Sequence, residues 1–222
     1  MDLYKTEHVG KTASEPSPQL CSPIVELRQY TLHPGQRDVL IALFERAFIK
    51  TQEAVGAAVI GQFRDLEDPN RFVWLRGFPD MEKRLAALQA FYGGAVWKEH
   101  REAANATMVD SDNVLLLRPA RPTSGFFLDP RDRPPRDTQK IPPGLVVATI
   151  LSFETPPDTN FLDFFEGTLA PGLSRSGASI LSSFVTEESA NTYPALPVRE
   201  GEQVFVWFSR FRDQATCSSY AA

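Results

Sequence analysis

Three residues spaced two apart, Glu26, Arg28 and Tyr30, bring a carboxylate, a guanidinium and a phenol together in the stretch IVELRQYTL, residues 24–32. A second stretch, RFVWLRGF at 71–78, does the same with Trp74 and Arg76. Side chains alternate between the two faces of a strand, so residues two apart share a face. Arg28 and Arg76 could clamp a carboxylate or an enolate, and Tyr30 could supply a proton or a hydrogen bond. Glu26 and Trp74 would complete a pocket with aromatic walls and a few polar groups, the composition that suits a small organic molecule. The competing reading is structural: Glu26 pairs with Arg28 or Arg76 so that no buried charge is left alone.

The elements that must position these groups follow from periodicity. IVELRQYTL alternates and is rich in β-formers, and it ends at the turn HPG. The following run places Val39, Leu40, Leu43, Phe44, Ala47 and Phe48 at helical spacing, which predicts an amphipathic helix. AAVIGQFRD and RFVWLRGF read as two strands joined through LEDPN. PDMEKRLAALQAFY and AVWKEHREAANATM read as helices broken at Gly93-Gly94, and NVLLLRP closes the unit as a strand. The first half is therefore β-α-β-β-α-α-β, similar to a ferredoxin-like unit.

The chain then says much of this again. GAAVIGQF at 56–63 returns as GASILSSF at 177–184, an offset of 121, and FVWLRGFPD at 72–80 returns as FVWFSRFRD at 205–213, an offset of 133. Paired echoes in the same order imply an internal repeat whose second copy carries an insertion, ESANTYPALPVREG, between its strands. The expected organisation is a disordered tail at 1–23, a first ferredoxin-like repeat at 24–118, a Pro-rich linker at 119–144 and a second repeat at 145–222. The second repeat reads as incomplete, stopping before room for its second helix and closing strand. Each repeat's sheet needs a cover on the face its own helices leave open, and two sheets meeting face to face supply it. The expected fold is thus α+β, with tandem ferredoxin-like repeats whose sheets meet face to face.

With the sheets face to face, Val25, Leu27, Val73 and Leu75 are expected under the helices, with Glu26, Arg28, Tyr30, Phe72, Trp74, Arg76 and Phe78 facing the interior. The matching positions of the second half, Trp207 among them, are nearly all apolar, so any site is asymmetric. Trp207 would contribute an apolar wall. Trp97 and Arg101 lie four apart on one helix face, where their types alone read as a packed indole beside a surface arginine.

VELRQYTLHPGQ, FVWLRGFPD, RLAALQAFYGGAVWKEHRE and especially NTYPALPVREGE resemble the NIPSNAP family, within the dimeric α+β barrel superfamily. The resemblance implies tandem ferredoxin-like repeats forming an intramolecular α+β barrel, with helix positions such as those of Trp97 and Arg101 at the cavity mouth. It does not supply a reaction, because proposals for the family range from small-molecule chemistry to partner binding. The leading expectation is small-molecule binding in the barrel with cofactor-free chemistry of a monooxygenase, isomerase or cyclase type. The alternative is a non-catalytic interaction or scaffold protein.

Composition narrows the classes further. A net charge of -5 offers no broad basic surface, so nucleic acid is not an expected partner. Three scattered histidines and two cysteines near the termini, Cys21 and Cys217, give no metal-ligand spacing and no obvious axial haem ligand, so no metal or cofactor is expected. No secretory signal or membrane span is read, which with free thiols suggests a cytoplasmic protein. An incomplete second repeat would leave a strand edge open, and a homodimer or a less stable monomer is the expected consequence.

Overall fold

The computed structural model describes residues 19–128 and 144–221. In its first half, strand β1 (Gln19–Leu20) precedes β2 (Ile24–Leu32), which leads into helices α1 (Arg37–Leu43) and α2 (Ile49–Ala54). Strands β3 (Ala58–Arg64) and β4 (Arg71–Phe78) follow, then helices α3 (Met81–Gly93) and α4 (Ala95–Asn105) and strands β5 (Met108–Asp110), β6 (Val114–Pro119) and β7 (Phe127–Leu128). The second half runs β8 (Leu145–Phe153), α5 (Thr159–Phe164), α6 (Ala170–Arg175), β9 (Ser179–Thr186), β10 (Gln203–Phe211) and α7 (Gln214–Ala221). Apart from the short β1-β7 pair, the strands form one antiparallel sheet in the order β3-β4-β2-β6-β9-β10-β8, with β5 pairing on β2. The fold is α+β.

Local chemistry recurs at a constant spacing between the halves. A single π-helical stretch joins α1 to α2 at Phe44–Phe48, and another joins α5 to α6 at Phe165–Leu169, 121 residues later. Each interruption has its own cause: the Thr51 hydroxyl donates back to the Ala47 carbonyl, and Pro171 carries no amide proton. Both helical segments then stop the same way. Gly56 and Gly177 take positive φ angles of 96° and 95°, and the next amides, of Ala57 and Ala178, reach back to the carbonyls of Gln52 and Leu173. Only glycine enters that conformation cheaply, so the echoed Gly-Ala pair is a helix stop that turns the chain into a strand. Asp80 and Asp213 likewise accept the amides of Lys83 and Thr216 at the starts of α3 and α7. Accepting that amide pulls the Asp213 carboxyl down to about 2.

Both faces of the sheet are covered. One carries Val25, Leu27, Leu75, Leu115, Leu117, Phe184, Val204, Val206 and Phe208 in a single apolar cluster, with Phe126 against it. Ile60 and Phe63 of β3 and Ile150 of β8, from opposite ends of the sheet, pack on the same cluster. The other face of the first half carries Tyr30, Phe72 and Trp74 against Leu40, Phe44, Phe48 and Phe91 of the helices. In the second half Phe205 and Trp207 lie under Leu162 and Phe165.

Several expectations change here. Residues 119–128, read as the start of an extended linker, are held in place. The Ala120 amide donates to the Ser183 carbonyl, the Ser183 amide donates to the Ser124 carbonyl, and Phe126 is buried between Phe184 and Phe208. Gln19–Leu20, placed in the tail, pairs with Phe127–Leu128. The remaining parts of those two segments, 1–18 and 129–143, lie outside the described residues. A further helix, α7, also follows β10, where the sequence left no room for one.

Candidate functional site

The largest correction concerns which face carries the charged cluster. Glu26, Arg28, Tyr30, Trp74 and Arg76 do share a face, but it is the helix-covered one; the face shared by the two halves takes Val25, Leu27 and Leu75 instead. Alternation says which residues go together. It cannot say which set faces the helices when both sides are buried.

On that face the cluster is built from four elements. Glu26 and Arg28 stand on β2 and Arg76 lies directly across from Glu26 on β4. Helix α3 contributes Arg84 and α2 contributes Gln52. The Glu26 carboxylate accepts three guanidinium bonds at 2.7 Å: Arg28 Nη1 and Arg76 Nε donate to Oε2, and Arg84 Nε donates to Oε1. Arg28 Nε donates to the Tyr30 hydroxyl at 2.9 Å, and Arg76 Nη1 donates to Gln52 Oε1 at 2.9 Å. Glu26, Arg28, Arg76 and Arg84 are fully buried, all at 0% exposure.

The charges in this network do not balance. One carboxylate faces three guanidiniums, and the Nη2 atoms of Arg28, Arg76 and Arg84 have no hydrogen-bond partner among the described residues. The same holds for Gln52 Nε2 and the Trp74 indole N–H. Part of the excess is met by ring faces: the Arg28 guanidinium lies 5.5 Å from the Trp74 ring centre, and that of Arg76 lies 5.2 Å from Trp74 and 5.9 Å from Tyr92. Burial alone would raise the Glu26 pKa, but Arg76, Arg28 and Arg84 outweigh it and hold the carboxyl far below its usual range. Burial opposes charge on Arg28 as well, and Tyr30 and Glu26 keep it protonated. For Tyr30 burial wins over Arg28 and keeps the phenol neutral.

The other expected site residues are placed elsewhere. Trp97 packs on Phe48, Phe91 and Tyr92, at the edge of the helix-side core, while Arg101 is exposed on α4. Trp207 lies beneath Phe165 in the second half, within a different cluster from Trp74. It therefore does not wall the charged group. Among the described residues, a cleft of about 300 Å³ opens beside the β9-β10 loop, and another of about 510 Å³ lies between α2 and α4, bordered by Lys50, Thr51, Val96 and His100. Neither borders Arg28 or Arg76.

Arg84 and Gln52 were missed in the sequence, although a signal exists for both. Arg84 falls in register with Ala87, Leu88 and Phe91 on the buried stripe of α3, and Gln52 lies one turn beyond Phe48. A polar side chain on an apolar helical stripe must find a partner inside.

The fold and this face together define an α+β protein with an antiparallel sheet whose helix side holds a buried arginine cluster. Residues 25–122 match the model of the NIPSNAP family. Solved structures similar to it each cover about half of the chain. A NIPSNAP-like domain protein from Burkholderia xenovorans is 27% identical, covering 49% of this chain and 97% of its own with a TM-score of 0.42. A NIPSNAP family protein of unknown function from Agrobacterium tumefaciens is 18% identical, covering 48% and 96% with a TM-score of 0.42. A structure described as an antibiotic biosynthesis monooxygenase is 23% identical, covering 42% and 94% with a TM-score of 0.35. No curated protein matches the chain significantly. No helix among the described residues is long and apolar enough to cross a membrane.

Proposed function

We propose that the protein binds a small organic anion beneath the helices of its first half, and that its two halves are tandem ferredoxin-like units forming an intramolecular barrel. The observation that carries the first reading is the buried excess of two guanidiniums over carboxylates, with three Nη2 donors unpartnered among the described residues. Buried charge without a counterion is costly, and an anionic ligand supplies one. Support for the second reading is the 121-residue spacing of the π-helical turns and helix stops, and the shared strand order β3-β4-β2 and β9-β10-β8 in the two halves.

The chemistry offered to a bound anion is specific. Arg28 and Arg76 present planar donors to a carboxylate or enolate oxygen, and Trp74 and Tyr92 flank them. The Tyr30 oxygen accepts from Arg28 and its own proton remains to be donated, which suits a general acid. That arrangement favours isomerase, cyclase or monooxygenase-type chemistry without a cofactor. Native mass spectrometry of gently purified protein tests the binding: a discrete organic mass excess is expected, and Arg28→Ala and Arg76→Ala should each abolish it. A folded variant of each arginine that keeps the same mass excess would remove the assignment.

A second reading, an interaction protein, rests on the sheet's end. Strand β8, LVVATILSF, has nine residues, none charged, and among the described residues it pairs only with β10. Open uncharged edges recruit further strands. Under this reading the protein forms a homodimer, and Leu151→Lys shifts it to monomer in light scattering; a wild-type monomer would exclude it.

A further inference from the structure

The charged cluster of the first half is closed by a loop from the second. Between β9 and β10 the chain makes a long excursion, residues 187–202, whose Asn191 Oδ1 and Thr192 Oγ1 accept from Arg84 Nη1 at 3.0 Å and 3.1 Å. Tyr193 stacks on Tyr92, with ring centres 5.9 Å apart and planes within 15°. Tyr193 and Leu196 also rest on the apolar cluster of Ile24, Phe78, Leu88 and Leu116. The loop keeps its shape by its own bonds: Asn191 Nδ2 donates to the Leu196 carbonyl, and the Tyr193 amide donates to Asn191 Oδ1.

Two features make this cover different from ordinary packing. The groups that meet Arg84 are a neutral amide oxygen and a hydroxyl, although the cluster beneath has unmatched positive charge. An anion would bind the same donors more strongly, because charge-assisted hydrogen bonds are roughly twice as strong as neutral ones. The opposite side of the loop also borders the cleft of about 300 Å³ lined by Glu187, Arg199 and Glu202, so the loop is not buried on that side. Residues 188–190, 194, 195 and 197 are exposed or half-buried.

We propose that the 187–202 loop is a lid over the anion site, held shut by Arg84, Asn191 and Thr192, and that the ligand it admits is a small aromatic carboxylate. This rests on the anion-binding reading above. The carboxylate replaces the Asn191 and Thr192 oxygens at Arg84, and its ring stacks on Tyr92 in the place that Tyr193 takes when the loop is shut. No bond is made or broken. The lid is a positioning device whose opening sets how fast ligand enters.

Stopped-flow tryptophan fluorescence with benzoate as the probe tests it, since Trp74 touches both Arg28 and Arg76. In the wild type the observed rate should level off with benzoate concentration at the rate of lid opening. The double variant Asn191→Ala, Thr192→Ala should raise that plateau by about tenfold or more and tighten binding several-fold, because the competing acceptors are gone. Arg84→Lys, which keeps a positive charge, should weaken binding by about tenfold, since it loses the planar fork. Equal plateaus in wild type and double variant, with benzoate still bound, would overturn the lid and leave the anion site standing. Absence of benzoate binding in both would overturn the aromatic-carboxylate lid, and the anion site would then fall only if the mass excess were absent or survived in the arginine variants. Inorganic phosphate binding more tightly than benzoate would overturn the carboxylate assignment.

Discussion

Glu26→Gln is expected to destabilise the protein by about 3–5 kcal/mol, because it leaves three buried guanidiniums with no charge to answer them. For a chain of this length that is a fall of about 6–20 °C in melting temperature. The pH dependence gives a second readout. The Glu26 carboxyl is held far below the value of about 4.3 it takes when unfolded, so its contribution is complete above about pH 5. It is lost progressively as the pH falls towards the folded-state value. Wild-type stability should therefore drop between about pH 5 and pH 3, and the Glu26→Gln substitution should flatten that slope. A variant that melts within about 1 °C of wild type would mean that the network is not the buried counterion system its geometry describes.

Phe208→Ala is expected to cost about 3–5 kcal/mol as well, and to take both halves with it. Phe208 is 2% exposed and packs on Phe126 and Phe184, within a cluster that also holds Val25 and Leu75 of the first half. Backbone pairing between β6 and β9 makes the same connection. In a Trp207→Phe background the remaining indoles, Trp74 and Trp97, report only the first half. Their unfolding in denaturant should move to lower concentration when Phe208 is truncated. First-half emission that keeps its midpoint while far-ultraviolet dichroism loses the second half would show that the halves fold separately.

These two substitutions act on opposite faces of one sheet, and the difference between the faces explains how the sequence was read. Period-two spacing grouped Glu26 with Arg28 and Tyr30, and Trp74 with Arg76, and the structure keeps those groups together. The assignment of that group to the barrel interior failed because both faces are buried, so neither set of residues is marked by exposure to water. In β2 and β4 the aromatic and charged side chains went under the helices, and Val25, Leu27 and Leu75 went to the face where the halves meet. Trp207 illustrates the same limit: it repeats Trp74 in sequence, yet its neighbours Thr149 and Ser209 replace Arg28 and Arg76 of the first half, and no charge collects around it.

The sequence by itself determined the β-α-β-β order that opens each half, the grouping of Glu26, Arg28, Tyr30, Trp74 and Arg76, and the resemblance that residues 25–122 bear out. These are consequences of local periodicity and of residue types close together in the chain. Tertiary structure alone decided which face those residues occupy, that Arg84 and Gln52 join them, and that Asn191 and Thr192 close over Arg84 from 107 and 108 residues away. Such contacts depend on how strands of the two halves register and how α3 lies on the sheet. No spacing within a single element encodes them, because the energy that selects them comes from burying both halves at once.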